Sequence, residues 1–212
     1  MRSLLRTRLV RDIALVCLAD GIVGISFGAI SVAGGLPLWV PVVMSLVVFA
    51  GGAQFSAVGV ALAGGSPLAA ATAGLLVNAR HVPFGFAVAD VLGKFRFPGA
   101  HLIIDESVAF ALGESDPARR RAAFWTCGFG MFVVWNACVL TGALAGRAIG
   151  NTDALGLDSA YPAVLLALVF PSLGDRKIRR AAVLGAAIAL AATPVLPPGM
   201  PELAALAGVV LA

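Results

Sequence analysis

Charge is scarce in this chain. Asp, Glu, Lys and Arg together make up 12% of its 212 residues, about half of the roughly 25% usual in a soluble domain. With 60% hydrophobic residues and a mean hydropathy of +0.98, this composition argues against an ordinary water-soluble enzyme and for a polytopic membrane protein. Cysteine is rarer still. Cys17, Cys127 and Cys138 are odd in number, lie in apolar runs and form no CxxC pair, so their spacing points to neither a disulfide framework nor a metal site. HExxH, P-loop and well-placed GxGxxG patterns are also missing, so the sequence calls for no cofactor and no metal.

Long hydrophobic runs are what the chain has in abundance. They cover Asp12–Ala33, Leu38–Ala63, Pro67–Leu92, Ala122–Ala145, Ala160–Leu173, Arg179–Leu196 and Glu202–Ala212. A hydrocarbon core about 30 Å thick takes roughly 20 such residues of helix. The expectation is an all-α fold forming one transmembrane transporter domain over residues 1–212, with about seven segments, some broken or re-entrant. A further piece, His101–Leu112, carries Asp105 and Glu106 in its middle and is too short for a normal span. Either it crosses together with Pro67–Leu92, or both dip in and return. The amino-terminal arginines followed by Ile13–Ala19 imitate a signal peptide, but the run continues to Ala33, which reads as an uncleaved first helix. The seventh run spans only about 16 Å as helix, half a bilayer. Its end needs cover from another helix or subunit, or frays at the interface.

The net charge is 15 − 11 = +4. The bases gather as Arg2, Arg6, Arg8 and Arg11, as Arg119–Arg121, and as Arg176, Lys177, Arg179 and Arg180, each group flanking an apolar run. That arrangement predicts a cytoplasmic amino terminus and a lipid bilayer, not nucleic acid, as the surroundings. The single tyrosine, Tyr161, precedes Pro162 and reads as an interfacial anchor.

Against this apolar background the polar residues stand out. Asn78, Arg80 and His81 lie deep in the third run, followed at once by Pro83. An arginine at the centre of a membrane helix costs at least about 2.5–3.5 kcal/mol, and proline removes a backbone donor. A broken polar segment at that depth should face protein or a water-filled cavity. In the first run Asp20, Gly24 and Gly28 recur every four residues and share one face. Asp20 lies about 14 Å beyond Arg11. It is either a structural tie to Arg80 or a site for a proton or an amine, while the glycines allow close helix approach. Gly24-Ile25-Ser26-Phe27-Gly28 formally matches GxSxG, but a mid-helix position is wrong for a strained nucleophile, so an intramembrane serine hydrolase is the weakest reading. In the second run Gly51 and Gly52 predict local unwinding near Gln54 and Phe55, with a tight helix crossing as the plain alternative. Asp105 and Glu106 point about 100° apart on a helix, so one lines a cavity while the other pairs with a base such as Arg80, Lys94 or Arg96, unless both lie in a solvated loop. Asn136 reads as an interhelical hydrogen bond, and Gly142, Gly146 and Gly150 as packing.

Four segments in order, Gly24–Gly28, Met44–Phe55, Val77–His81 and Ile104–Ser107, resemble the AzlC family, the large subunit of branched-chain amino acid permeases. The resemblance runs from about residue 12 to 180 and is sharpest at Phe49–Phe55 and Asn78–His81. Ala79 stands where the family usually has leucine, and Pro83-Phe84 where tyrosine is common, so the substrate pocket differs. The resemblance implies a proton-coupled exporter of branched-chain amino acids in the bacterial cytoplasmic membrane, working with a small AzlD-like membrane subunit. An amino-acid substrate would then be held by Asp20, Gly24, Phe27, Gly51, Gly52, Gln54, Phe55, Asn78 and Arg80, with Phe84 adding to an apolar pocket. Asp20, His81, Asp105 and Glu106 would carry the coupling proton. A passive channel, or a transporter of another small solute, is the alternative function.

Overall fold

A computed structural model describes residues 2–149, 166, 170–197 and 200–211, and among these every regular element is helical. Two helices dominate. α1 (Arg2–Ala33) and α9 (Pro117–Ile149) contain the stretches Arg8–Ala33 and Pro117–Ala148, both long and apolar enough to cross a membrane. The 26 residues of the first reach about 39 Å at 1.5 Å per residue. α1 ends at Gly35, whose φ of +104° lets the Leu36 amide turn back onto the Ser31 carbonyl at 3.0 Å. α9 begins with Pro117 directly after Asp116, whose carboxylate accepts from the Arg119 amide at 2.9 Å. A proline at the first helical position behind a capping aspartate is a strong start signal.

The chain falls into two compact units. The first comprises Met1–Gly51 and Asn78–Thr152 and is built on the crossing of α1 and α9. A β-carbon on Gly28 would collide with the Val139 carbonyl and the Ala143 amide, and one on Gly142 with the Ile25 backbone. Gly146 abuts Ala29 in the same way. The small-residue patterns of both helices thus mesh, as expected from the sequence; Gly150 lies outside the described residues. Phe27, fully buried, stacks on Trp135 with 6.3 Å between ring centres. α2 (Trp39–Val47) packs on α9, where the Ser45 hydroxyl donates to Asn136 Oδ1 at 2.7 Å. Asn136 is therefore the interhelical tie anticipated for it.

The second apolar run does break, but not where two glycines predicted. Helix stops at Val47 and resumes as α3 (Gly51–Leu62), so Gly51 and Gly52 are helical and the irregular residues are Val48–Ala50. Phe49 takes a φ of +30°, a region that side-chain-bearing residues seldom adopt. Its buried ring is held edge-on to Phe132 at 5.1 Å and beside His101 at 5.9 Å. Gly51 is needed for contact instead: a β-carbon there would come within 2.9 Å of the Trp135 ring.

The third run is more finely divided than expected. α4 (Pro67–Asn78) gives way at Ala79-Arg80 to α5 (His81–Ala87), α6 (Ala89–Leu92) and α7 (Arg96–His101). A turn at Leu102–Ile104 then leads into α8 (Asp105–Leu112). Asp105 and Glu106 accordingly open a helix instead of lying mid-segment. Negative side chains are favoured in a first helical turn. Ser107 fixes that start, accepting from the Ile104 amide at 3.1 Å and donating to the Leu102 carbonyl at 2.7 Å.

The second unit comprises Gly52–Val77 and Asp153–Ala212. Within it α3 and α4 form a hairpin through Gly64, with φ +85°, and bury Val60, Ala70 and Ala73 between them. Ser66 caps α4 by accepting from the Ala69 amide at 3.2 Å. Most of the run 160–173 lies outside the described residues, as does Tyr161; Phe170–Gly174 form a 3-10 turn. α10 (Arg176–Ala192) is capped by Asp175, which accepts from the Lys177 and Ile178 amides. The seventh run is not one half-length helix. It forms α11 (Met200–Ala204) and α12 (Ala207–Leu211). Both pack on α10 at Gly185, so this chain supplies part of the cover that a half-span needs.

Candidate functional site

The first unit brings several ionisable groups to the helix break. Arg80 lies in the turn between α4 and α5, and its guanidinium donates to the Asp105 carboxylate at 2.7 Å. α5 packs on α8 and α8 on α9, which is what carries Asp105 to Arg80 across 25 residues. Both side chains keep about one third of their surface exposed (33% and 37%), so the pair is not sealed in a core. His81 Nδ1 lies 3.1 Å from the Asn78 carbonyl. A carbonyl only accepts, so Nδ1–H donates and the opposite nitrogen is left over. Arg80 Nε and His81 Nε2 are indeed buried without a hydrogen-bond partner. Arg120 Nε is left the same way, but only Arg80 and His81 are consecutive residues at the helix break, and buried polar atoms are nearly always satisfied.

Asp20 reaches the same place from α1. It and Glu106 are close enough to Asp105 for the three carboxylates to act on one another, and Arg80 and His81 lie within the same field. Asp20 makes no ion pair among the described residues, and Glu106 makes none either. Of the two pairings the sequence offers Arg80, with Asp20 or with one of Asp105 and Glu106, it is Arg80–Asp105 that forms. The other expected residues go elsewhere. Gly24 and Gly51 seat α9, with Trp135 against both, and Phe27 is enclosed in that contact. Gly52, Gln54 and Phe55 are buried and belong to the second unit. Phe84 sets its ring edge against His81 at 5.8 Å. Ser26 donates to the Ile22 carbonyl one turn back, at 3.2 Å, as an ordinary helix serine does.

Two neighbours escaped sequence reasoning. Cys17, one turn before Asp20, and Cys127 on α9 are buried within the electrostatic reach of Asp20 and Glu106. No spacing rule singles out a lone cysteine, although Cys17 shares the helical face of Asp20. Ser107 belongs to one of the segments that carry the family resemblance, but its part in starting α8 has no sequence signal of its own.

A family model described as AzlC protein matches residues 15–149 of this chain. The chain belongs to the AzlC family. Its matched region contains Asp20, Arg80, His81, Asp105 and Glu106, so the whole polar cluster lies within what makes it an AzlC protein. A relative from Archaeoglobus fulgidus, named an uncharacterized membrane protein, is 31% identical over 173 residues, 80% of this chain and 76% of its own length. No solved structure matches. Family and relative together make this a membrane protein of a transport family.

Proposed function

We propose that this AzlC protein is the large subunit of a two-component, proton-coupled exporter of branched-chain amino acids, a transporter and not an enzyme. In this reading it crosses the bacterial cytoplasmic membrane about seven times from a cytoplasmic amino terminus. A small AzlD-like membrane subunit completes it. The observation that carries the reading is the pair of orphaned nitrogens on Arg80 and His81 at the Arg80–Asp105 pair, with Asp20 and Glu106 making no ion pair among the described residues. A zwitterion needs an anion site and a cation site a few ångströms apart, and this cluster offers both. Arg80 receives the substrate carboxylate. The Asp105 carboxylate occupies that place when no substrate is present, so binding is an exchange of one carboxylate for another. Asp20 and Glu106 receive the ammonium group and the coupling proton. The helix break supplies the irregular backbone that discontinuous transporter helices use around a solute.

Efflux tests it. Cells loaded with a leucine-containing dipeptide should retain the released leucine when Arg80→Ala or Asp20→Asn is introduced with membrane expression intact. Normal export by both variants ends this assignment. Export that runs uphill and collapses with a protonophore separates coupled transport from a passive channel.

A further inference from the structure

The first unit carries a second charged cluster, away from the helix break, where α6 and α7 meet the start of α9. Lys94 and Arg96 flank Phe95 in the chain, and Arg119, Arg120 and Arg121 lie in the first turns of α9. Two are already engaged, Arg119 with Glu114 at 3.2 Å and Arg120 with Asp90 at 3.4 Å. Lys94, Arg96 and Arg121 have no acidic partner among the described residues. Their placement is specific. Gly93 takes a φ of +54°, and the Arg121 guanidinium packs so closely over it that a β-carbon would come within 2.9 Å. Lys94 Nζ stands 5.3 Å over the Phe95 ring. Phe95 in turn meets Trp125 edge-on at 6.1 Å, and the Trp125 indole donates to the Val91 carbonyl at 3.3 Å. Next to these bases Phe97 is 92% exposed and Phe95 half exposed.

A phenylalanine left in water forgoes roughly 1.5–3 kcal/mol of burial, so these rings belong in an apolar medium. The bases beside them are exposed and free to take an anion. An amino-acid zwitterion would also require a free acid, and the nearby acids are taken: Asp90 and Glu114 are in ion pairs and Asp116 caps α9. A membrane-protein surface that alternates unpaired bases with exposed rings, beside a tryptophan whose N–H is satisfied, matches the boundary between headgroups and acyl chains.

We propose that Lys94, Arg96 and Arg121 form a headgroup site for an anionic phospholipid whose acyl chains lie along Phe95 and Phe97. The site orders the α6–α7 segment through lipid and is independent of the transport reading.

The test uses the purified full chain in neutral detergent, with thermal unfolding and native mass spectrometry as readouts. Phosphatidylglycerol should raise the unfolding temperature and remain bound, while phosphatidylcholine and inorganic phosphate should do neither. The double substitution Lys94→Gln/Arg96→Gln should weaken phosphatidylglycerol binding about tenfold or more and leave the lipid-free unfolding temperature in place. Adding Arg121→Gln should abolish the lipid effect. Equal stabilisation of wild type and double variant by phosphatidylglycerol overturns the site. So does equal binding of phosphatidylcholine, or a shift reproduced by phosphate alone.

Discussion

If Asp105 holds the place of the substrate carboxylate, neutralising it should make substrate bind more tightly. The perturbation is Asp105→Asn, which keeps the size of the side chain and removes the charge paired with Arg80 at 2.7 Å. At an effective dielectric of about 20 such a contact gains about 4 kcal/mol of Coulomb energy at 4 Å. Both side chains are one third exposed, and exposed pairs retain only about 0–1 kcal/mol net, whereas charged hydrogen bonds in protected settings retain about 1.5–3 kcal/mol. A pair between these limits is worth about 1–2 kcal/mol, or about 5–30-fold in affinity. The assay is leucine transport into proteoliposomes with a substrate titration, reading KM apart from maximal rate. Asp105→Asn should lower KM by that factor, and the gain should vanish in Arg80→Ala/Asp105→Asn. A KM that is unchanged or raised by Asp105→Asn, at equal protein in the membrane, refutes the exchange of carboxylates.

Three further outcomes follow from the packing. Gly142→Leu drives a side chain into the Ile25 backbone. It should cost about 1–3 kcal/mol or more, seen as a lower unfolding temperature in detergent, while the same change at the exposed Ala148 should not. Asn136→Ala removes the tie to Ser45 and should cost about 0.6–2 kcal/mol, the usual range for an interhelical hydrogen bond in a membrane protein. Ser26→Ala should leave transport unaltered, and a serine-reactive fluorophosphonate should label neither protein, because this hydroxyl is spent on the Ile22 carbonyl.

Much of the helix break was legible in the chain because the physics of a bilayer is unforgiving. Arginine and histidine beside a proline in an apolar run have few places to go, and the break at Ala79-Arg80 lies where they predict it. The glycine spacings of α1 and α9 likewise announced a close crossing. What sequence could not weigh was competition between uses of one residue. Gly51 and Gly52 read as a weak point in a helix, yet Gly51 is spent on room for Trp135, a residue 84 positions away. The break moved to Phe49, whose aromatic neighbours hold it in an uncommon conformation. Asp105 and Glu106 were placed mid-segment because their flanks are apolar. Their fit to a first helical turn, with Ser107 following, was the overlooked sign. The sequence leaves the partner of Arg80 open among Asp20, Asp105 and Glu106, because pairing over 25 residues depends on how α5, α8 and α9 pack, which no local pattern encodes.

The most direct measurement is solute protection at the break itself. Ala79 is exposed in the turn beside Arg80, so Ala79→Cys, with Cys17, Cys127 and Cys138 replaced by alanine, places a reactive thiol there. Leucine at increasing concentration should slow maleimide labelling of that thiol, with no effect on a cysteine at the exposed position Phe97. Labelling that proceeds at one rate with and without leucine would mean that no amino acid occupies the break, and the site built on Arg80, His81 and the three carboxylates would fall.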